Sequence, residues 1–170
     1  MAGTAAVLKP EPHTQKISIG LDARYRKQMS ESLTEILAST YKLTIKSHVY
    51  HWNVVGPLFL PLHELTEQHY GALFEAADVI AERIRALGHL APSSVGKASG
   101  FSPSASDVDH LSAHDMVADL IDDHEAAARQ MRDAAGKAGD AGDVVTEDML
   151  TQRLTFHEKA LWMLRAIIAD

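Results

Sequence analysis

Cysteine is absent from the 170-residue chain, so neither a disulfide nor a thiolate metal site can be built from it. Long apolar runs are absent too. The opening MAGTAAVLKPEPHTQ is too polar for a secretory signal, and no stretch reaches the length of a membrane span. The expected address is therefore the cytoplasm. No alternating strand pattern, internal repeat or glycine-rich phosphate loop is present. Hydrophobic residues make up 46% and charged residues 23%, enough for one domain with a proper core. The formal net charge of −7 does not attract nucleic acid or anionic membrane by bulk charge, and it suits a cation as ligand. Ten histidines are a high count for a residue that so often binds metal.

Residues 1–20 lack periodicity and read as a mobile tail, and residues 21–170 read as one all-α domain. Asp22 is placed to cap a first helix whose apolar stripe runs Met29, Leu33, Ile36, Leu37, Leu43 and Thr44, ending near Asn53 before Gly56-Pro57. A second helix begins between Pro57 and Pro61, carries Leu62, Leu65, Leu73, Ala77, Ile80, Ile84 and Leu87, and stops at Gly88. A long Ser/Gly/Pro-rich connection follows over 89–110, with a short helical turn expected near 94–99. Ser112 and Asp115 have the spacing of a capping box. The third helix buries Val117, Leu120, Ile121, Ala127, Ala128 and Met131 and is expected to stop within 136–139. Thr146 is the expected cap of a fourth helix, whose buried face is Leu150, Leu154, Leu161, Leu164, Ile167 and Ile168. Four long helices with a long crossover between the second and third make a ferritin-like bundle.

Metal chemistry needs donors that converge, and iron accepts imidazole and carboxylate together. The candidates are His51, His63, Glu67, Asp78 and Glu82. At 100° per residue, Glu67, Asp78 and Glu82 lie about 40°, 60° and 100° round the second helix from His63, so all share one face. Along the axis, His63 and Asp78 are roughly 22 Å apart. One ion cannot span that gap. The residues form either two half-sites or one site shared across a subunit boundary, and a two-fold axis near the middle of the helix is the simplest way for them to meet. The usual di-iron arrangement inside one subunit uses Glu-x-x-His, and no histidine here has a glutamate three residues before it.

The run from Lys46 to Val54, with His48, His51 and Trp52, is similar to the signature of the Dps family, the mini-ferritins. So are the stretches Leu62 to Leu65 and Ala76 to Ile84, and the ending His157 to Arg165. The resemblance covers roughly residues 22–170. It implies a hollow dodecameric shell, with two histidines from one subunit and the aspartate and glutamate from its two-fold partner. On that likeness His51, His63, Asp78 and Glu82 are ferroxidase ligands and Glu67 supports a second iron. Glu67 is longer than the aspartate many relatives carry. Iron is the implied metal, with zinc an alternative occupant in purified material. The likeness also makes Asp143 and Asp148 candidates for an acidic pore that admits ferrous iron, beside a plainer role in capping and solubility. Gln152, one turn on, is neutral.

The resemblance implies oxidation of ferrous iron, preferably by hydrogen peroxide, and storage of the ferric product. Histidines 48, 69, 89, 110, 114, 124 and 157 are expected at the surface or satisfied in place, and Trp52 and Trp162 in packing. A competing reading is a nucleoid protein that coats DNA in starvation. The tail carries only Lys9 and Lys16 against Glu11, a thin basis for phosphate contacts. A third reading, a bundle with no metal role, explains the core but not the donor spacing.

Overall fold

The computed structural model describes residues 13–93 and 111–169. Four helices follow in order: α1 (Ala23–Asn53), α2 (Phe59–Ala86), α3 (Ala113–Asp140) and α4 (Val144–Ile167). No strand occurs among the described residues. The helices pair as α1 with α2 and α3 with α4, and the pairs join mainly through α1 and α3, whereas α2 and α4 touch sparingly. This is the four-helix architecture expected from the apolar periodicity. The expected turn near 94–99 lies outside the described residues.

The ends follow from local chemistry. Asp22 accepts from the backbone N–H of Arg24 and Tyr25 and starts α1. Ser112 and Asp115 close the expected capping box on α3. Gly88, at φ +91°, turns the chain away from α2, and its missing Cβ leaves room for the Gln15 carbonyl. Gln15 donates its N–H to the Gly88 carbonyl at 2.9 Å, which ties the N-terminal segment to the end of α2.

Two expected boundaries are wrong. The third helix does not stop within 136–139 but continues to Asp140. Ala134, Ala135 and Ala138 are buried there and outweigh the low propensity of glycine. Gly139 sits inside the helix with the Glu147 carboxylate against it, 2.9 Å from where a Cβ would stand. The left-handed turn falls instead on Gly142, φ +72°. The cap of α4 is Asp143, not Thr146. Asp143 accepts from the Thr146 N–H at 3.0 Å, so Thr146 is the capped residue three positions on.

The core is the apolar stripes of all four helices. Ile121, Leu154, Ile167 and Ile168 pack at its margin, partly buried. Buried Ser30, Thr40, Thr44 and Thr66 each donate to the carbonyl four residues back, so their hydroxyls carry no unmet hydrogen. Between α1 and α3, Lys42 and Lys46 bridge to Asp119 and Asp123, and Tyr50 donates to Asp119.

Candidate metal centre

The break at Gly56-Pro57 reverses the chain within a few residues, so the last turn of α1 lies against the first turns of α2. That places His51 beside His63. Their rings stack with centroids 3.8 Å apart and 16° between planes. Each ring bonds the backbone of the other residue: His51 Nδ1 to the His63 carbonyl and His63 Nδ1 to the His51 carbonyl, both 2.9 Å. A carbonyl only accepts, so both Nδ1 atoms carry the hydrogen and both Nε2 atoms keep the lone pair. The His51 carbonyl lies in the last turn of α1, where helical partners run out, and His63 satisfies it. A histidine so held through one nitrogen offers the other to a metal in a fixed orientation.

Aromatic rings wall the pair. Phe59 stacks on His63 at 5.1 Å, and Tyr70 meets His51 edge-on at 5.4 Å. His48 stacks on Tyr70 at 4.3 Å and lies 4.2 Å from Trp52. Both candidate ligands are half-buried.

Glu67, Asp78 and Glu82 are exposed on α2. Within one chain, no group of three or more metal-binding side chains converges among the described residues. One chain therefore assembles the imidazole half of the expected donor set and holds the carboxylate half elsewhere on the same helix. Two exposed apolar residues of α2 share that face. Relative to His63, Phe74 lies about 20° round and Leu60 about 60°, among the carboxylates. Both are largely uncovered, at 63% and 59%.

The two pore candidates part company. Asp148 is exposed and accepts from Gln152 at 2.8 Å. Asp143 is only 2% exposed and bonds Arg83, Thr146 and Tyr25, so its carboxylate is held inside the subunit rather than presented to a pore.

Sequence reasoning missed three buried histidines. His69, His124 and His157 come from α2, α3 and α4 and are 4%, 0% and 0% exposed. Burial pushes them down to about 4, 2 and 3, respectively. Nδ1 of His69 and Nε2 of the other two have no partner. The signal was present: His69 stands midway between Leu65 and Leu73, and His124 between Leu120 and Ala128, each four residues from its apolar neighbours.

Comparison with known proteins adds to this geometry. The ferritin-like domain model matches residues 30–170. A low temperature-induced protein of Nostoc sp. is 42% identical over 158 residues, covering 90% of this chain and 87% of its own. The DNA protection during starvation protein of Agrobacterium fabrum is 31% identical, covering 92% and 98%. The structure of DpsC from Streptomyces coelicolor superposes with a TM-score of 0.83 at 27% identity, covering 93% of each chain.

Proposed function

The chain belongs to the ferritin-like family and, within it, to the Dps proteins, and from that premise we propose that it is a cytoplasmic ferroxidase and iron store. In this reading it works as a hollow dodecameric shell whose oxidation sites are each built by two copies. The observation that carries it is the His51–His63 pair. Two stacked imidazoles locked through Nδ1 leave both Nε2 atoms for a metal, which makes them half of a site in this reading.

A second copy related by a two-fold axis near Gly71 and Ala72 supplies the other half. Both lie midway between His63 and the Asp78/Glu82 pair, and Gly71, about 80° round from His63, stands on the same face and lets two α2 helices approach closely. The same contact covers Leu60 and Phe74, which no monomer leaves bare without cost. His51 and His63 of one copy then face Asp78 and Glu82 of the other, with Glu67 toward a second iron.

Ferrous iron is the substrate. The imidazoles bind it while the carboxylates neutralise charge, and they favour the harder ferric product more than the ferrous one. Two ferrous ions give up one electron each, hydrogen peroxide accepts both as its O–O bond breaks, and two protons complete two waters. The likeness to Dps proteins favours peroxide over dioxygen. Zinc fits the same donors and would compete. Removing ferrous iron and peroxide together protects DNA without touching it.

Mixing two inactive variants tests the shared site. His51→Ala with His63→Ala removes one half, and Asp78→Asn with Glu82→Gln removes the other. After dissociation and reassembly together, a mixed dimer holds one complete site and one empty of all four ligands. Peroxide-dependent iron oxidation should return to about half the parent level within mixed dimers. No recovery, with mixed dimers established by mass spectrometry, would refute a site built from two chains.

A further inference from the structure

His124 on α3 and His157 on α4 meet in the core with no measurable exposure. Their Nδ1 atoms lie 2.9 Å apart. One donates and the other accepts, so the two rings are opposite tautomers. One outer Nε2 therefore carries a hydrogen and the other a lone pair, and both are buried without a partner. His69 of α2 closes on His124 at 5.4 Å, and Phe156 packs against both members of the pair.

The charged groups facing the pair are of one sign. Arg153 on α4 acts on His157 and itself has a buried, unpartnered Nη2. His69 acts on both. Glu75 of α2 acts on Arg153 and not on the rings. Among the described residues, α1 sets no charge against the pair. A first proton would thus land on a buried Nε2 with no acceptor and no counter-charge. A second would remove the Nδ1 acceptor and set two cations against each other.

We propose that the His124–His157 pair is an acid-operated lock: neutral and bonded, it holds α4 on α3, and in acid it takes up protons only by letting α4 come away. The direction follows from linkage. A free histidine titrates near 6.5, and burial pushes His124 and His157 down to about 2 and 3. The lock is complete above about pH 6.5 and weakens as the pH falls from there toward the folded values. With up to two protons taken up on opening, the opening constant rises by up to about 100-fold per pH unit in that window. Asp143, the cap of the same helix, is a carboxylate held below its usual range and so stays ionised down to pH 5. The lock does not depend on His69. The device does not depend on the proposed iron chemistry.

Hydrogen exchange of the assembled full-length protein, without iron, tests the lock from pH 7.5 to 5. After correction for intrinsic exchange, opening of α4 should rise by more than tenfold per pH unit below about pH 6. His124→Phe with His157→Leu should flatten that rise by up to 100-fold per unit. His157→Gln, the milder change, should flatten it by about tenfold and serves if the double variant does not fold. An unchanged rise in a folded variant would overturn the proposal. So would imidazole nitrogen resonances of the pair that titrate near 6.5 while α4 stays protected. Zinc that shifts those resonances in a protein carrying His51→Ala and His63→Ala would make the pair a metal site instead, and would also overturn the lock.

Discussion

Asp143 and Asp148 are five residues apart and chemically identical, yet their surroundings give them different work. Asp143 accepts from Arg83 Nη2 at 2.6 Å, Thr146 Oγ1 at 2.6 Å, the Thr146 N–H at 3.0 Å and Tyr25 at 2.9 Å. Burial alone would raise its pKa, but the bonds from Thr146, Arg83 and Tyr25 outweigh it and hold the carboxyl below its usual range. Burial, then the same carboxylate, pushes the Tyr25 phenol up. Asp143→Asn leaves the largely buried Arg83 without its counter-charge and should lower the unfolding free energy by about 3–5 kcal/mol. Urea unfolding at pH 7 measures this, and a variant as stable as the parent would dissolve the network. Because the folded pKa is depressed, the parent's advantage is complete above about pH 4 and disappears as the pH falls through the lowered value. Asp148→Asn should change stability by less than about 0.5 kcal/mol, since it is exposed. It should slow ferrous uptake by the intact shell, because steering acts on arrival rate. Stopped-flow uptake indistinguishable from the parent would leave Asp148 with a local bond to Gln152 and nothing more.

Helices were legible where periodicity and a single cap agreed, as at Asp22 and Ser112. They were misread where a long-range contact decided. Gly136 and Gly139 look like a stop until Ala134, Ala135 and Ala138 are seen buried beside them, and Asp143 looks like a surface acid until Arg83 and Tyr25, sixty and more residues away, are seen to bond it. The candidate site divides the same way. His51 and His63 were picked out as candidates by residue type and by the family likeness, and their meeting follows from a short reversal. The tautomer that frees both Nε2 atoms was not legible, because it depends on two carbonyls that sequence does not place. The end of α2 gives a test at this scale. Gly88 combines a left-handed φ with backbone of the N-terminal segment 2.9 Å from where a Cβ would stand. Gly88→Ala should cost about 1–3 kcal/mol and free the segment near Gln15. Faster proteolysis N-terminal to Ala23 with the helices still intact is the expected sign, and unchanged proteolysis and melting would show that the tie is dispensable.

At the scale of the whole molecule, the exposed apolar face of α2 and the divided donor set both call for other copies of the chain. Light scattering should give about twelve times the 18.5 kDa chain mass, and a stable monomer would sink the shared site. The same assembly sets what the molecule does with DNA. Each chain carries a net −7, so a full shell carries on the order of −80 and repels phosphate at long range. Against this, residues 1–20 offer Lys9 and Lys16 offset by Glu11. Several tails could touch one duplex, and avidity would multiply what each contributes. Each tail still neutralises about two phosphates at most, and at moderate salt the counterions released by so few contacts do not offset the repulsion of the body. Gel retardation at neutral pH and about 150 mM salt should therefore be absent or weak, and deleting residues 1–20 should change it little. The protein should nevertheless spare DNA from nicking by ferrous iron and peroxide, and the variant with His51→Ala and His63→Ala should not. Tight retardation that disappears with the tail would place DNA coating ahead of chemistry. Protection that survives loss of both histidines would do the same, because shielding by contact needs no oxidation site.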